Sequence, residues 1–232
     1  MAKASKGAKA PTKGKEVVVE IQPLNIRPLM IRLVGDGPLV VHNWSEKAKK
    51  EMRDKQMGKA KRKKRPKSPP ECFIDSLHWI SRKPARKDDK NGHSTWTMEA
   101  AIKAVEKGKF GFPAVGLKAA FVDACSHVGG VTKVLARGTI HIDADLIEIV
   151  APPPQMREDM VRVGMGTADI RYRAEFRDWS ATAPVRYNAS VLTVEQIVNL
   201  FNTAGFAIGI GEGRPQKRDM GWGRFHVATA GE

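Results

Sequence analysis

Ile170-Arg171-Tyr172-Arg173-Ala174-Glu175-Phe176-Arg177 alternates throughout, with Ile170, Tyr172, Ala174 and Phe176 on one side and Arg171, Arg173, Glu175 and Arg177 on the other. A period of two marks a strand with one face packed and the other carrying charge. A strand ladder of arginines is most simply an exposed face. Val185, Tyr187, Ala189 and Val191 resume the alternation after a turn, with Arg186 opposite, and the two runs are expected to pair as a hairpin. Thr193 then caps a helix, with Gln196 at the capping-box position and Val194, Ile197, Val198 and Phe201 on its buried face, ending at Gly205. A last strand is expected over Trp222 to Ala228.

Working upstream, Leu117, Ala120, Phe121, Ala124 and Val128 recur at helical spacing after Pro113, and Gly129-Gly130 stops that helix. Ile140, Ile142, Leu146, Ile147 and Ile149 read as a strand, and Ala151 to Gly166, with its prolines and arginines, reads as a loop. The β-branched run Val17 to Ile21 and the stretch Leu29 to Val34 are both expected strands. Between them and the first helix lies 36–111, taken as one long insertion. Within it Ser45 can cap a helix from about Glu46 whose apolar face is thin, and the consecutive cations Lys61, Arg62, Lys63, Lys64 and Arg65 form a basic finger. With that insertion set aside, the order is βαββαβ, an α+β, ferredoxin-like (RRM-like) core. Many nucleic-acid binders use such a sheet.

Charge points the same way. The chain has 232 residues, with Lys and Arg outnumbering Asp and Glu by 40 to 25, a formal net charge of +15. Such an imbalance repels itself unless a polyanion relieves it, and nucleic acid is the usual partner. No long apolar run suggests a membrane, and the cysteines Cys72 and Cys125 lack a CxxC partner, as expected for reduced thiols in a cytoplasmic protein. Residues 1–15, rich in lysine among Ala, Gly, Thr and Pro, read as a disordered basic arm rather than a signal peptide. Residues 16–232 then form a single domain.

The densest motif is Gly209-Ile210-Gly211-Glu212-Gly213-Arg214-Pro215, followed by Gly221-Trp222-Gly223-Arg224-Phe225. Glycines at this density let backbone turn tightly and approach a phosphate or another backbone, while Arg214, Lys217, Arg218 and Arg224 supply charge. The motif follows a helix and opens a strand, the reverse of a dinucleotide-binding fingerprint, and it lacks the GK[ST] of a P-loop. Trp222, between two glycines beside Arg224, is the tryptophan best placed to stack on a base. Arg157 and Arg162, in Met156 to Gly164, set guanidinium groups among flexible apolar side chains.

The segment "GIGEGRPQKRDMGWGRF" resembles the C-terminal glycine-rich loop of the repeat-associated mysterious protein (RAMP) superfamily, the RNA-binding backbone and processing subunits of CRISPR effector complexes. "FPAVGLKAAFVDA", Phe112 to Ala124, looks like that family's turn into a Leu-Lys helix. The resemblance covers mainly 112–228. It implies that Gly116 and Lys118 lie beside the bound strand, that Gly211 and Gly213 approach it, and that 36–111 and 150–168 are finger-like and thumb-like insertions. It also implies assembly side by side along the strand. "HNWSEKAKKEM" and "MREDMVRVG" resemble uncharacterised proteins of bacterial viruses and prophages, from which no activity follows.

Nothing in the motifs demands catalysis or a cofactor. The histidines His42, His78, His93, His127, His141 and His226 form no HxxxH pair, and no acidic cluster has a third metal ligand. The expectation is therefore a non-catalytic binder of single-stranded RNA or DNA that contacts mainly the phosphate backbone. It would serve in phage replication or recombination, or in a CRISPR-like complex. The alternatives are a metal-independent endoribonuclease with an imidazole such as His42 as base, and a basic scaffold for an acidic protein.

Overall fold

Strand β1 (Ile26–Gly35) sits between two others, and its inward residues Ile31 and Leu33 are buried. The computed structural model describes residues 23–59, 66–85, 88–90, 93–163, 166–218 and 220–232. The remaining elements are β2 (Leu39–Val41), α1 (Glu46–Gln56), α2 (Pro69–Ser76), α3 (Met98–Glu106), β3 (Gly111–Pro113), α4 (Ala114–Ala124), α5 (Lys133–Thr139), β4 (Ile140–Ile142), β5 (Leu146–Val150), β6 (Gln155–Val163), β7 (Thr167–Phe176), β8 (Ser180–Asn188), α6 (Val194–Thr203) and β9 (Phe225–Val227). The described residues form a mixed α+β structure with two antiparallel sheets.

The larger sheet runs β3-β5-β8-β1-β9, with β4 also paired to β8. In it β1 lies between β8 and β9, and all these pairings are antiparallel. Ala181, Ala183, Val185 and Tyr187 of β8 point into the core, as their alternation requires. Helices α4 and α6 close that side, through Leu117, Phe121, Ile197, Leu200 and Phe201, with the Phe121 and Phe201 rings 4.8 Å apart. The capping box at Thr193 is present: its hydroxyl accepts from the Gln196 amide and its own amide donates to the Gln196 side chain. The other face of the sheet, with Met30, Arg32, Thr182 and Arg186, is exposed.

The expected hairpin is absent. β7 belongs to a second sheet, β2-β7-β6, while β8 pairs with β1, β4 and β5. Alternation fixes which face of a strand is buried but not which strand lies beside it. The chain turns the corner at Asp178 (φ 47°) and then buries Trp179, whose indole N–H donates to the Gly37 carbonyl at 2.8 Å. Gly35 is glycine because a Cβ there would lie 2.2 Å from that indole nitrogen.

Residues expected as a loop form strand β6, in register with β7 from Gln155↔Glu175 to Val163↔Thr167. Both of its faces carry charge, so no apolar alternation marked it. The 36–111 stretch is equally structured where described, since Phe73, Ile74, Leu77, Ala101, Val105 and Phe110 join the common core. Ser76 ties α2 to β7, its buried hydroxyl accepting from the Ala174 amide and donating to the Phe73 carbonyl. Only α1 matches the thin-faced helix foreseen: Ser45 caps it and none of its residues is buried. Smaller departures are α5, which the sequence did not mark, the end of α4 at Ala124 before Gly129-Gly130, and a π-helical turn that carries α6's end past Gly205 to Ile208. The last strand is shorter than expected, Phe225–Val227. The arm 1–15, the strand at Val17 to Ile21 and the run Lys61 to Arg65 lie outside the described residues. Among the described residues no helix is long and apolar enough to cross a membrane. Cys72 and Cys125 are free, and burial raises both thiols above the usual range.

Candidate nucleic-acid interface

The loop between α6 and β9 lies across the ends of β1 and β2. The Glu212 amide donates to the Val40 carbonyl (2.8 Å), the Gly223 amide to Pro38 (2.8 Å) and the Ile210 amide to Gly223 (2.9 Å). Gly211 and Gly223 have φ of 76° and 64°, and a Cβ would come within 2.5 Å of the Val40 oxygen and 1.8 Å of the Ile210 oxygen, respectively. Gly213 (φ 65°) lies against the Trp222 ring, where a Cβ would overlap it at 2.1 Å. The close approach that requires glycine is therefore made inside the molecule.

Beneath this loop lies the charged face of the second sheet. Arg173 and Glu175 are buried, not exposed as a bare strand ladder would be. Arg157 donates to Asp159 (2.8 Å) and Glu175 (3.3 Å), Arg173 to Asp159 and Glu212 (3.3 Å each), and Arg177 to Glu175 (3.0 Å). Three arginines meet three carboxylates, so the network is neutral in itself and joins strand to loop. The Arg157 guanidinium also stacks 4.0 Å from the centre of the Trp222 ring. Trp222 is thus engaged by Arg157 and hemmed by Gly213, and base stacking on it requires one of these to give way.

The sequence-derived cations separate into groups. Arg214, Lys217 and Arg218 form a turn, with the Lys217 and Arg218 amides donating to the Arg214 carbonyl; Lys217 and Arg218 are exposed, and no ion pair among the described residues engages either. Arg214 donates to Gly211 and Arg224 to Gly221, each holding its own loop segment. Gln216 fixes the turn to the C-terminal end of α4 by donating to Asp123 (2.9 Å), which also accepts from Lys133 (2.8 Å). Those two contacts, the lysine first, pull the Asp123 carboxyl below its ordinary value.

Gly116 and Lys118 lie in the first half of α4, about 10 Å and about 8 Å of helix axis before Asp123, and Gly116 faces the Phe112 ring. No hydrogen bond or ion pair among the described residues joins either of them to the glycine-loop turn. Arg162 is exposed, five residues beyond Arg157 on β6, and so faces the other side of the sheet. Lys61, Arg62, Lys63, Lys64 and Arg65 fall outside the described residues. Just past them, Lys67 docks on the Asp169 carboxylate and the Ile170 carbonyl of β7.

Sequence reading missed Arg173, Asp159, Glu175 and Glu212 as one constellation; its only trace was Glu175 set among arginines. His42, at the end of β2, is held below the ordinary histidine range, by burial first and then by the positive charges of Arg173 and Arg171 against the opposing pull of Glu212. His78 is lowered by burial, Lys49 and His42. Among the described residues, no group of three or more His, Cys, Asp or Glu could hold a metal ion.

The face so defined is a basic turn and a set of paired arginines flanking a glycine-rich loop. No family model matches the chain, and no curated protein does. Among solved structures it is similar to the crystal structure of Cmr6 from Pyrococcus furiosus, with 13% identity and a TM-score of 0.35 over 89% of this chain and 100% of that chain.

Proposed function

We propose that this protein binds single-stranded RNA or DNA through the phosphate backbone, without cleaving it, and assembles along the strand. The observation that carries this reading is the exposed cationic turn Arg214 to Arg218, fixed at both ends by backbone hydrogen bonds and by Gln216 on a protein of net charge +15. A preorganised cluster of cations with no ion pair among the described residues loses little conformational freedom when it meets phosphate. The strand order β9-β1-β8-β5, with α4 and α6 on one side, supports a ferredoxin-like core within the RAMP-type resemblance. The settings that fit are phage replication or recombination and a CRISPR-like complex.

Binding of the purified chain to labelled single-stranded RNA, single-stranded DNA and duplex, at several salt concentrations and strand lengths, tests the proposal. Salt-sensitive, length-dependent binding to single strands that stay intact on a gel is expected. Cleaved strands would favour the ribonuclease instead. Equal binding to any polyanion would favour a basic scaffold.

A further inference from the structure

Arg173 is a buried charge with an incomplete set of partners. Its side chain is only 5% exposed, yet its Nε–H has no partner among the described residues. Two of the five donors of a guanidinium are engaged, by Asp159 and Glu212, each at 3.3 Å. Good charge-assisted bonds are shorter, about 2.7–2.9 Å, and Asp159 is shared with Arg157 at 2.8 Å. Leaving donors of a buried cation unmet is unfavourable, so the arrangement is poised to accept a better-fitting anion.

Glu212 occupies the place such an anion would take. It is the only acidic residue between Gly209 and Arg218, and its side chain is 43% exposed, so the carboxylate can rotate into solvent while its amide stays bonded to Val40. His42 lies close enough to feel the charges of Arg173, Glu212 and Arg171. With Glu212 turned away, the opening presents a guanidinium fork, which matches two oxygens of a phosphate as it matches a carboxylate.

The geometry points to Glu212 as a displaceable occupant of a phosphate site whose buried donor is Arg173. The site takes one phosphate of a bound strand, and so rests on the strand-binding reading. Until a strand arrives, Glu212 keeps Arg173 paired, and strand binding competes with that ion pair.

The test compares wild type, Glu212→Gln and Glu99→Gln, the last an exposed carboxylate on α3, for binding to a labelled single-stranded homopolymer at fixed salt. Glu212→Gln is expected to bind roughly three- to tenfold tighter, the scale of one net hydrogen bond. Glu99→Gln should change binding less than about twofold, because surface charge is screened over a Debye length. In an Arg173→Gln background the gain from Glu212→Gln should vanish. Should that background fail to fold, the rise in Tm with inorganic phosphate over chloride at equal ionic strength replaces it, and must be larger for Glu212→Gln than for wild type. Unchanged or weaker strand binding by folded Glu212→Gln, or a gain no larger than that of Glu99→Gln, overturns the proposal. Failure of the strand-binding reading looks different: wild type and a Lys217→Gln/Arg218→Gln variant would both ignore the strand, and the phosphate-dependent Tm shift would then decide the site alone.

Discussion

At Gly223 the backbone is left-handed and a Cβ would sit 1.8 Å from the Ile210 oxygen, so the residue faces two independent obstacles to any side chain. Strained backbone of this kind costs of order 1–3 kcal/mol, before the clash is relieved. Gly223→Ala should therefore lower stability by at least about 2 kcal/mol, read as a fall in the denaturation midpoint. Gly129→Ala is the contrast: nothing lies within 4 Å of its Cβ position and its φ is not positive, so stability should hold or rise slightly. The histidines give the second residue-scale test. His42 and His78 have folded-state values below the ordinary value of about 6.5, so the unfolded chain takes up protons first as pH falls, and stability drops below that value. His226 is raised, chiefly by its contact with Asp36, so it contributes stability below the ordinary value that is lost as pH rises through its folded value. A His42→Gln/His78→Gln variant should lose less stability than wild type between neutral pH and pH about 5.5, whereas His226→Gln should lose more. Thermal melts across that range check both signs.

Elements differ in how they are held, and that decides both their stability and their legibility. Helix α1 has a good cap but buries no residue, so it should open without the rest of the protein. Met52→Gly should lower hydrogen-exchange protection over α1 about fivefold, at a local cost of about 1 kcal/mol, and leave the global melting temperature unchanged. Phe73 on α2 is 1% exposed within the common core, and Phe73→Ala should cost about 3–5 kcal/mol of global stability. That pair of outcomes separates an appended helix from a structural one inside a stretch that reads as a single insertion. Helix α6 was legible because Thr193 and Gln196 write the cap locally, and β8 because Val185 and Tyr187 alternate into the core. β6 was not, since Arg157 and Asp159 on one face and Glu158 and Arg162 on the other leave no apolar row. The glycine-rich loop was visible as a loop, but the reason for its glycines was not. They accommodate the carbonyls of Val40 and Ile210, which are remote or differently directed until the chain has folded. The same remoteness hid Arg173 with Glu212, 39 residues apart and joined only in three dimensions.

For the molecule as a whole the net charge is +15, and among the described residues it divides between arginines that meet carboxylates and cations that do not. Arg157, Arg173 and Arg177 meet Asp159, Glu175 and Glu212 in one ion-pair network, whereas Lys217 and Arg218 stand on the exposed turn. Counterion release distinguishes the two kinds, because each phosphate neutralised on a single strand adds about 0.7 to the slope of log affinity against log salt. If both turn cations contact phosphate, Lys217→Gln/Arg218→Gln should weaken binding and make that slope shallower by about 1.4, with the melting temperature unchanged. Removing Arg177, whose charge is spent on Glu175, should leave the slope nearly unaltered while reducing stability. A titration of labelled single strands at four or more salt concentrations, on wild type and both variants, measures the two slopes directly. Equal slopes for wild type and the turn variant would mean that the exposed cations touch no phosphate, and the interface would have to be sought on the open face of the larger sheet, at Met30, Arg32 and Arg186.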